Sequence, residues 1–239
     1  MSQSGKEQAE IHQHSGWLIP LGLVVVTLVL CGLVLLYDLR PGTGLFRNNS
    51  PTADISSVSL SVRGVRFEVP ANYLESRSVR RGGDVDVITL SALLPDMRGF
   101  SAADAALFVG NAADSTLVHL LVRGDTNGLS AADRLSRIYM PYISNPAGTQ
   151  DSFDLTRYSF RSGTGYDLSD LFAGTTDSGL LLMLCERPAQ DLPSPNCLAI
   201  DHPVAPGVNL SYRFKRAQLS HWREIATGVN CLMKKLTRH

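Results

Sequence analysis

The chain has 239 residues, 44% of them hydrophobic and 18% charged, with 22 basic and 22 acidic side chains. These values fit a folded protein and argue against wholesale disorder. The zero formal net charge gives no reason to expect a nucleic-acid partner, which calls for a strong basic excess.

In chain order, residues 1–16 read as a cytoplasmic tail. "WLIPLGLVVVTLVLCGLVLLY" follows from Trp17 to Tyr37, 21 residues without a charge. At 1.5 Å per residue it would reach roughly 31 Å, the thickness of a hydrocarbon core, with Trp17 and Tyr37 at the two interfaces. The expectation is an uncleaved transmembrane helix over 17–37. A buried soluble helix would show a polar face, and no small-x-small cleavage site follows the run. "LVLC" ends its lipobox-like stretch in Leu30, against a lipidated Cys31. Flanking charge does not decide orientation: Lys6 lies on one side, Arg40 and Arg47 on the other.

Residues 38–54, "DLRPGTGLFRNNSPTAD", are a Pro-, Gly- and Asn-rich tether. A single domain is expected over 55–239, long enough to bury one sizeable core. "SVSLSVRGVRFEVP" alternates Val58, Leu60, Val62 and then Val65, Phe67, Val69 about Arg63-Gly64, a hairpin pattern. "DVDVITLSALL" continues as a strand, with Val85, Val87 and Thr89 on one side. Two helix starts, "SAADAALF" at Ser101 and "SAADRLSRIYM" at Ser130, set a capping serine three residues before Asp104 and Asp133. "STLVHLLVRG" reads as a buried strand between them. "FDLTRYSF", "GLLLMLCER", "CLAIDH" and "VNLSYRFKR" supply further strands. A final helix runs from about Gln218 to Leu236, with Ser220 as its cap. Leu219, Trp222, Ile225 or Ala226, Val229, Leu232 or Met233, and Leu236 recur every three or four residues. That face is expected to pack on the sheet. The alternative is a partner-binding or membrane-surface helix aided by Lys234, Lys235 and Arg238. The fold class is therefore α+β: mostly antiparallel strands with about three helices, behind the amino-terminal span.

"CERPAQDLPSPNC" joins Cys185 to Cys197 through a Pro-rich, polar loop. If the flanking apolar runs are neighbouring strands, the cysteines stand at the loop mouth within disulfide reach. Free buried cysteines are the alternative. A zinc site would need a second ligand pair. A disulfide implies an oxidising compartment, which places the carboxyl-terminal domain in the periplasm and the tail inside.

No phosphate loop, GxSxG elbow or HExxH occurs, and no metal or cofactor is expected. "DTNG" (125–128) reads as a tight turn, since the glutamate of a calcium loop is missing. Of the histidines, His119 lies in an apolar strand, His202 precedes Pro203, and His221 opens the last helix. Two basic groups stand out as candidate binding residues: Arg77, Arg80 and Arg81 in "RSVRRGGD", and Arg213, Lys215 and Arg216 in "YRFKR". They are either solvated faces or contacts for anionic lipid or an envelope polymer.

"RFEVPANYL", "LLPDMRGFS", "SPNCLAID" and "YRFKRAQLSHWREIATG" together resemble uncharacterised single-span envelope proteins of bacteria. The resemblance implies a location in the inner membrane and no activity or site residues. The expected function is binding, by a domain held near the inner membrane, of another envelope protein, anionic lipid or polymer. The alternative is an envelope hydrolase. A His, a Ser and an acid clustered in one cleft would favour the alternative; an exposed apolar or basic patch without them would favour binding.

Overall fold

In a computed structural model the described residues are 18–39, 50–109, 111–125 and 128–238. The tail 1–16, Trp17, most of the tether and the centre of the 125–128 turn lie outside them. The chain divides into two units, Met1–Arg47 and Asn48–His239.

In the first unit the apolar run does become a helix, α1 (Leu18–Leu39). Its side chains are described over 20–33, and nearly all are exposed. Among the described residues no helix is long and apolar enough to cross a membrane. The transmembrane helix expected over 17–37 is therefore not supported, and the fold class is corrected to a mostly antiparallel β domain with a few helices.

The second unit begins with a hairpin, β1 (Ser57–Val62) and β2 (Val65–Pro70). Arg63 and Gly64 both have positive φ, 51° and 81°, as a two-residue turn between right-twisted strands demands. β3 (Gly83–Asp84) runs parallel to β1. Next come β4 (Val87–Leu93), β5 (Leu117–Gly124), the short α2 (Ala131–Arg134), β6 (Thr149–Asp151), β7 (Leu155–Ser159), β8 (Ser169–Thr176) and β9 (Gly179–Glu186). β10 (Asn196–Ala205), β11 (Val208–Lys215), α3 (Trp222–Leu236) and β12 (Thr237–Arg238) complete it. The described strands form a sheet of eight in the order β4-β5-β11-β10-β9-β8-β7-β6 and a sheet of four in the order β12-β2-β1-β3. Every pairing in the larger sheet is antiparallel.

Period-two alternation gives the large sheet two apolar faces. Leu90, Leu120, Tyr212, Phe214 and Phe172 join one core with Leu60 and Phe67 of the small sheet and with α3. Leu171 and Ala173, either side of Phe172, turn to a second cluster with Tyr139, Ile143, Phe160 and Leu182. The 131–142 segment covers that cluster, with α2 passing into a π turn and then a 3-10 turn.

The last helix buries Trp222, Ile225, Ala226, Val229, Leu232, Met233 and Leu236, so its periodic face is core. The Ile, Val, Leu and Met side chains among them each contribute about 1.5–3 kcal/mol on burial. Its start differs from expectation: residues 216–221 form a 3-10 turn, and α3 begins at Trp222 without a side-chain cap. Gly174 in β8 permits the approach of Trp222, because a Cβ there would stand 2.5 Å from the indole. Both serine caps form: Ser101 and Ser130 accept from the amides of Asp104 and Asp133 at 3.2 and 3.0 Å. The first of them opens a 3-10 turn, Ala102–Phe108, in place of an α-helix.

Cys185 and Cys197 are directly opposite on β9 and β10 and are joined in a disulfide. Cys231, on α3, is free and exposed.

Candidate functional site

The edge of the larger sheet carries a polar row. In register, Ser91 of β4 faces His119 of β5, and His119 faces Arg213 of β11. Their chain neighbours Leu90, Ala92, Val118, Leu120, Tyr212 and Phe214 all turn into the first core, so the three polar side chains share the other face.

A short segment then folds over the β4 edge. Leu74 bridges Leu90, and the Glu75 amide donates to the Thr89 carbonyl at 3.1 Å. This brings the Glu75 carboxylate to the row. Its Oε1 accepts from Ser91 Oγ at 2.7 Å and pairs with His119 Nδ1 at 2.6 Å. An ionised carboxylate only accepts, so Nδ1 carries the proton and Nε2 is left free of this bond. Burial alone would raise the Glu75 pKa. The bonds from His119 and Ser91, with the charges of His119 and Arg213, outweigh it and hold the carboxyl below its usual value.

Glu75, Ser91 and His119 sit in a cleft of about 200 Å³ whose walls include Pro51, Tyr73, Leu74, Phe100, Phe108 and Leu117. The side chains of Glu75 and His119 are 21% and 39% exposed. Phe100 and Phe108 meet edge to face with centroids 5.2 Å apart.

The six basic residues singled out from sequence separate into two kinds. Arg77, Arg81 and Arg213 are exposed. Arg80 is structural: its guanidinium donates to the Leu74 carbonyl at 2.7 and 3.1 Å, to Glu75 O at 3.4 Å, and to Ser50 O. It thereby fixes the segment that carries Glu75. Lys215 is buried, with its ammonium on Asn111 Oδ1 and the Ser194 carbonyl. Burial, then the charge of Arg213, lower its pKa against the pull of Glu186. Arg216 donates to the Glu186 carbonyl at 2.7 Å, reaches Asp170 at 3.4 Å and lies over the Phe172 ring.

Arg80→Ala should therefore cost about 1.5–3 kcal/mol, the range for hydrogen bonds to a charged group, whereas Arg81→Glu should change stability by less than about 0.5 kcal/mol. Urea unfolding of the two variants checks the contrast. Equal effects would contradict this assignment of Arg80.

The three histidines do not meet. His202 lines a different cavity, with Ser178, Asn230 and Lys234, and burial lowers its pKa. His221 stands exposed at the start of α3. His119 alone belongs to the cleft. Sequence reasoning missed its partners: Glu75 lies 44 residues from His119 and 16 from Ser91. The only signal was Ser91 continuing the alternation of Val87 and Thr89.

A Ser, a His and an acid thus do share one cleft, but in the wrong order for a hydrolase. In a catalytic triad the imidazole stands between serine and carboxylate and removes the serine proton. Here the carboxylate stands in the middle and accepts from both. Its depressed pKa makes it a weak base, and Ser91 is only 9% exposed.

The molecule is thus a mostly antiparallel β-sheet domain with a few helices, and its described cleft is wired to hold a charge. No family model matches the chain, and no curated protein matches it. Among solved structures it is similar to an immunity protein of the Stenotrophomonas maltophilia type IV secretion system: 14% identity, 77% of this chain and 94% of that one covered, TM-score 0.53. It also aligns with the Neisseria meningitidis iron-regulated outer membrane lipoprotein FrpD at 13% identity, covering 81% and 98% of the two chains, with a TM-score of 0.46. The first likeness is one of fold alone; the second is too slight to argue from.

Proposed function

We propose that this chain is an interaction domain of the bacterial envelope, working in the periplasm by contact with another protein and not by turnover. The observation that carries the reading is the wiring of the cleft: Glu75 accepts from both Ser91 and His119, which fixes a charge and activates no nucleophile. Two further features support it. The Cys185–Cys197 disulfide suits an oxidising compartment. The fold is shared with a protein described as an immunity protein of a secretion system. Arg77, Arg81 and Arg213, exposed around the domain, are the basic side chains offered to such a partner.

The test is a photo-cross-linking residue placed in the full chain in the bacterium that makes it. One position is Leu107, exposed beside the cleft residue Phe108; the control is Asp177, exposed in the β8–β9 turn. A discrete product is expected from Leu107 and none from Asp177. No product from either position, or the same smear from both, would count against the proposal.

A further inference from the structure

The cleft itself specifies what kind of group it accepts. Its volume of about 200 Å³ is below the roughly 300–1,000 Å³ of small-molecule sites, so it suits one protruding side chain. Among the described residues only one oxygen of the Glu75 carboxylate is engaged: both hydrogen bonds arrive at Oε1, leaving Oε2 without a partner. Glu75 is also the one acid among the lining residues. An ionised oxygen on a side chain that is 21% exposed in a recess calls for a donor, and a charged donor gives the stronger bond. The walls call for an apolar stem, since Leu74, Leu117, Phe100 and Phe108 line them. A long aliphatic chain ending in a cation meets both demands: its methylenes cover apolar surface, and its head lies near aromatic rings.

The opposing charge is accounted for. Arg213, opposite His119 on β11, acts on Glu75 only through its charge, and it is exposed and screened by solvent. His119 spends its Nδ1 proton on Oε1.

We infer that this cleft is the socket for a lysine or arginine side chain presented by the partner protein. The inference rests on the interaction reading, since it names the chemistry by which that partner is recognised. A buried cation of this kind is the sort of anchor that dominates binding at an interface.

The probe is n-butylguanidinium, with hexanoate as the anionic counterpart of similar length, titrated into the isotopically labelled full chain and followed by NMR. The cation should give saturable shifts at Ser91, Phe108 and His119, and hexanoate none. E75Q should weaken the cation at least ten-fold, and F108A, which leaves the carboxylate in place, by two- to five-fold. Absence of saturable shifts, equal response to hexanoate, or unchanged affinity in F108A would overturn the socket. The socket and the interaction reading fail separately. A Leu107 cross-link without cation binding would remove the socket alone. Cation binding without any cross-link would leave a cation site in the cleft and remove the partner reading, and with it the partner side chain as occupant.

Discussion

Replacing Cys185 and Cys197 together with alanine is expected to lower stability by about 3 kcal/mol. The two residues are directly opposite on β9 and β10, twelve apart in sequence, and both fully buried. In the unfolded chain the bond closes the Pro-rich loop between them, and a loop of this length loses about 3 kcal/mol of closure entropy. For a domain of this size each kcal/mol corresponds to about 2–4 °C, so Tm should fall by about 6–12 °C. Reductant should do the same to the natural chain. Cys231→Ala should change little, because that thiol is free and exposed. Thermal unfolding by circular dichroism decides; an unchanged Tm in the double variant would show that the bond is not a stabilising staple.

Asp170→Ala should cost about as much, roughly 3 kcal/mol, near the lower end of the range for breaking a buried ion pair. Asp170 lies on β8 opposite Cys185, and its side chain is 6% exposed. It receives Arg187 at 2.9 Å and Arg216 at 3.4 Å. Removing the carboxylate leaves two cations facing a hole. Arg187, 39% exposed, can recover water, while Arg216, 18% exposed, recovers less, which holds the cost to the lower end. Asp170→Asn keeps shape and an acceptor and should cost markedly less. Urea denaturation of the pair measures both. A stable Asp170→Ala protein would mean that Arg187 and Arg216 hold each other's place without it.

Patterns carried by neighbours in the chain were readable. The alternation around Arg63-Gly64 specified a hairpin, the three-or-four spacing from Leu219 to Leu236 specified a buried helical face, and a Pro-rich loop between two apolar runs specified the disulfide. Arg80, Lys215 and Arg216 looked like surface cations because basic residues in short polar stretches normally are. Their roles depend on Leu74, Asn111, Asp170 and Glu186, partners that only folding brings near. The cleft was hidden for the same reason. His119 appeared as one polar residue in an apolar strand; the edge segment that delivers Glu75, and the register that delivers Ser91, are tertiary facts. The apolar run from Trp17 to Tyr37 shows the opposite failing. Composition and length alone suggested a membrane span, and the described helix does not sustain it.

Contact without turnover is tested by a paired assay on the natural full chain and on S91A and H119A. The purified partner identified by the Leu107 cross-link is titrated calorimetrically, and the same samples are incubated with envelope esters, peptides and glycans. A saturable complex of fixed stoichiometry is expected, with no time-dependent product in any sample. Steady product formation by the natural chain, abolished by either substitution with the fold intact, would contradict contact without turnover and establish a hydrolase.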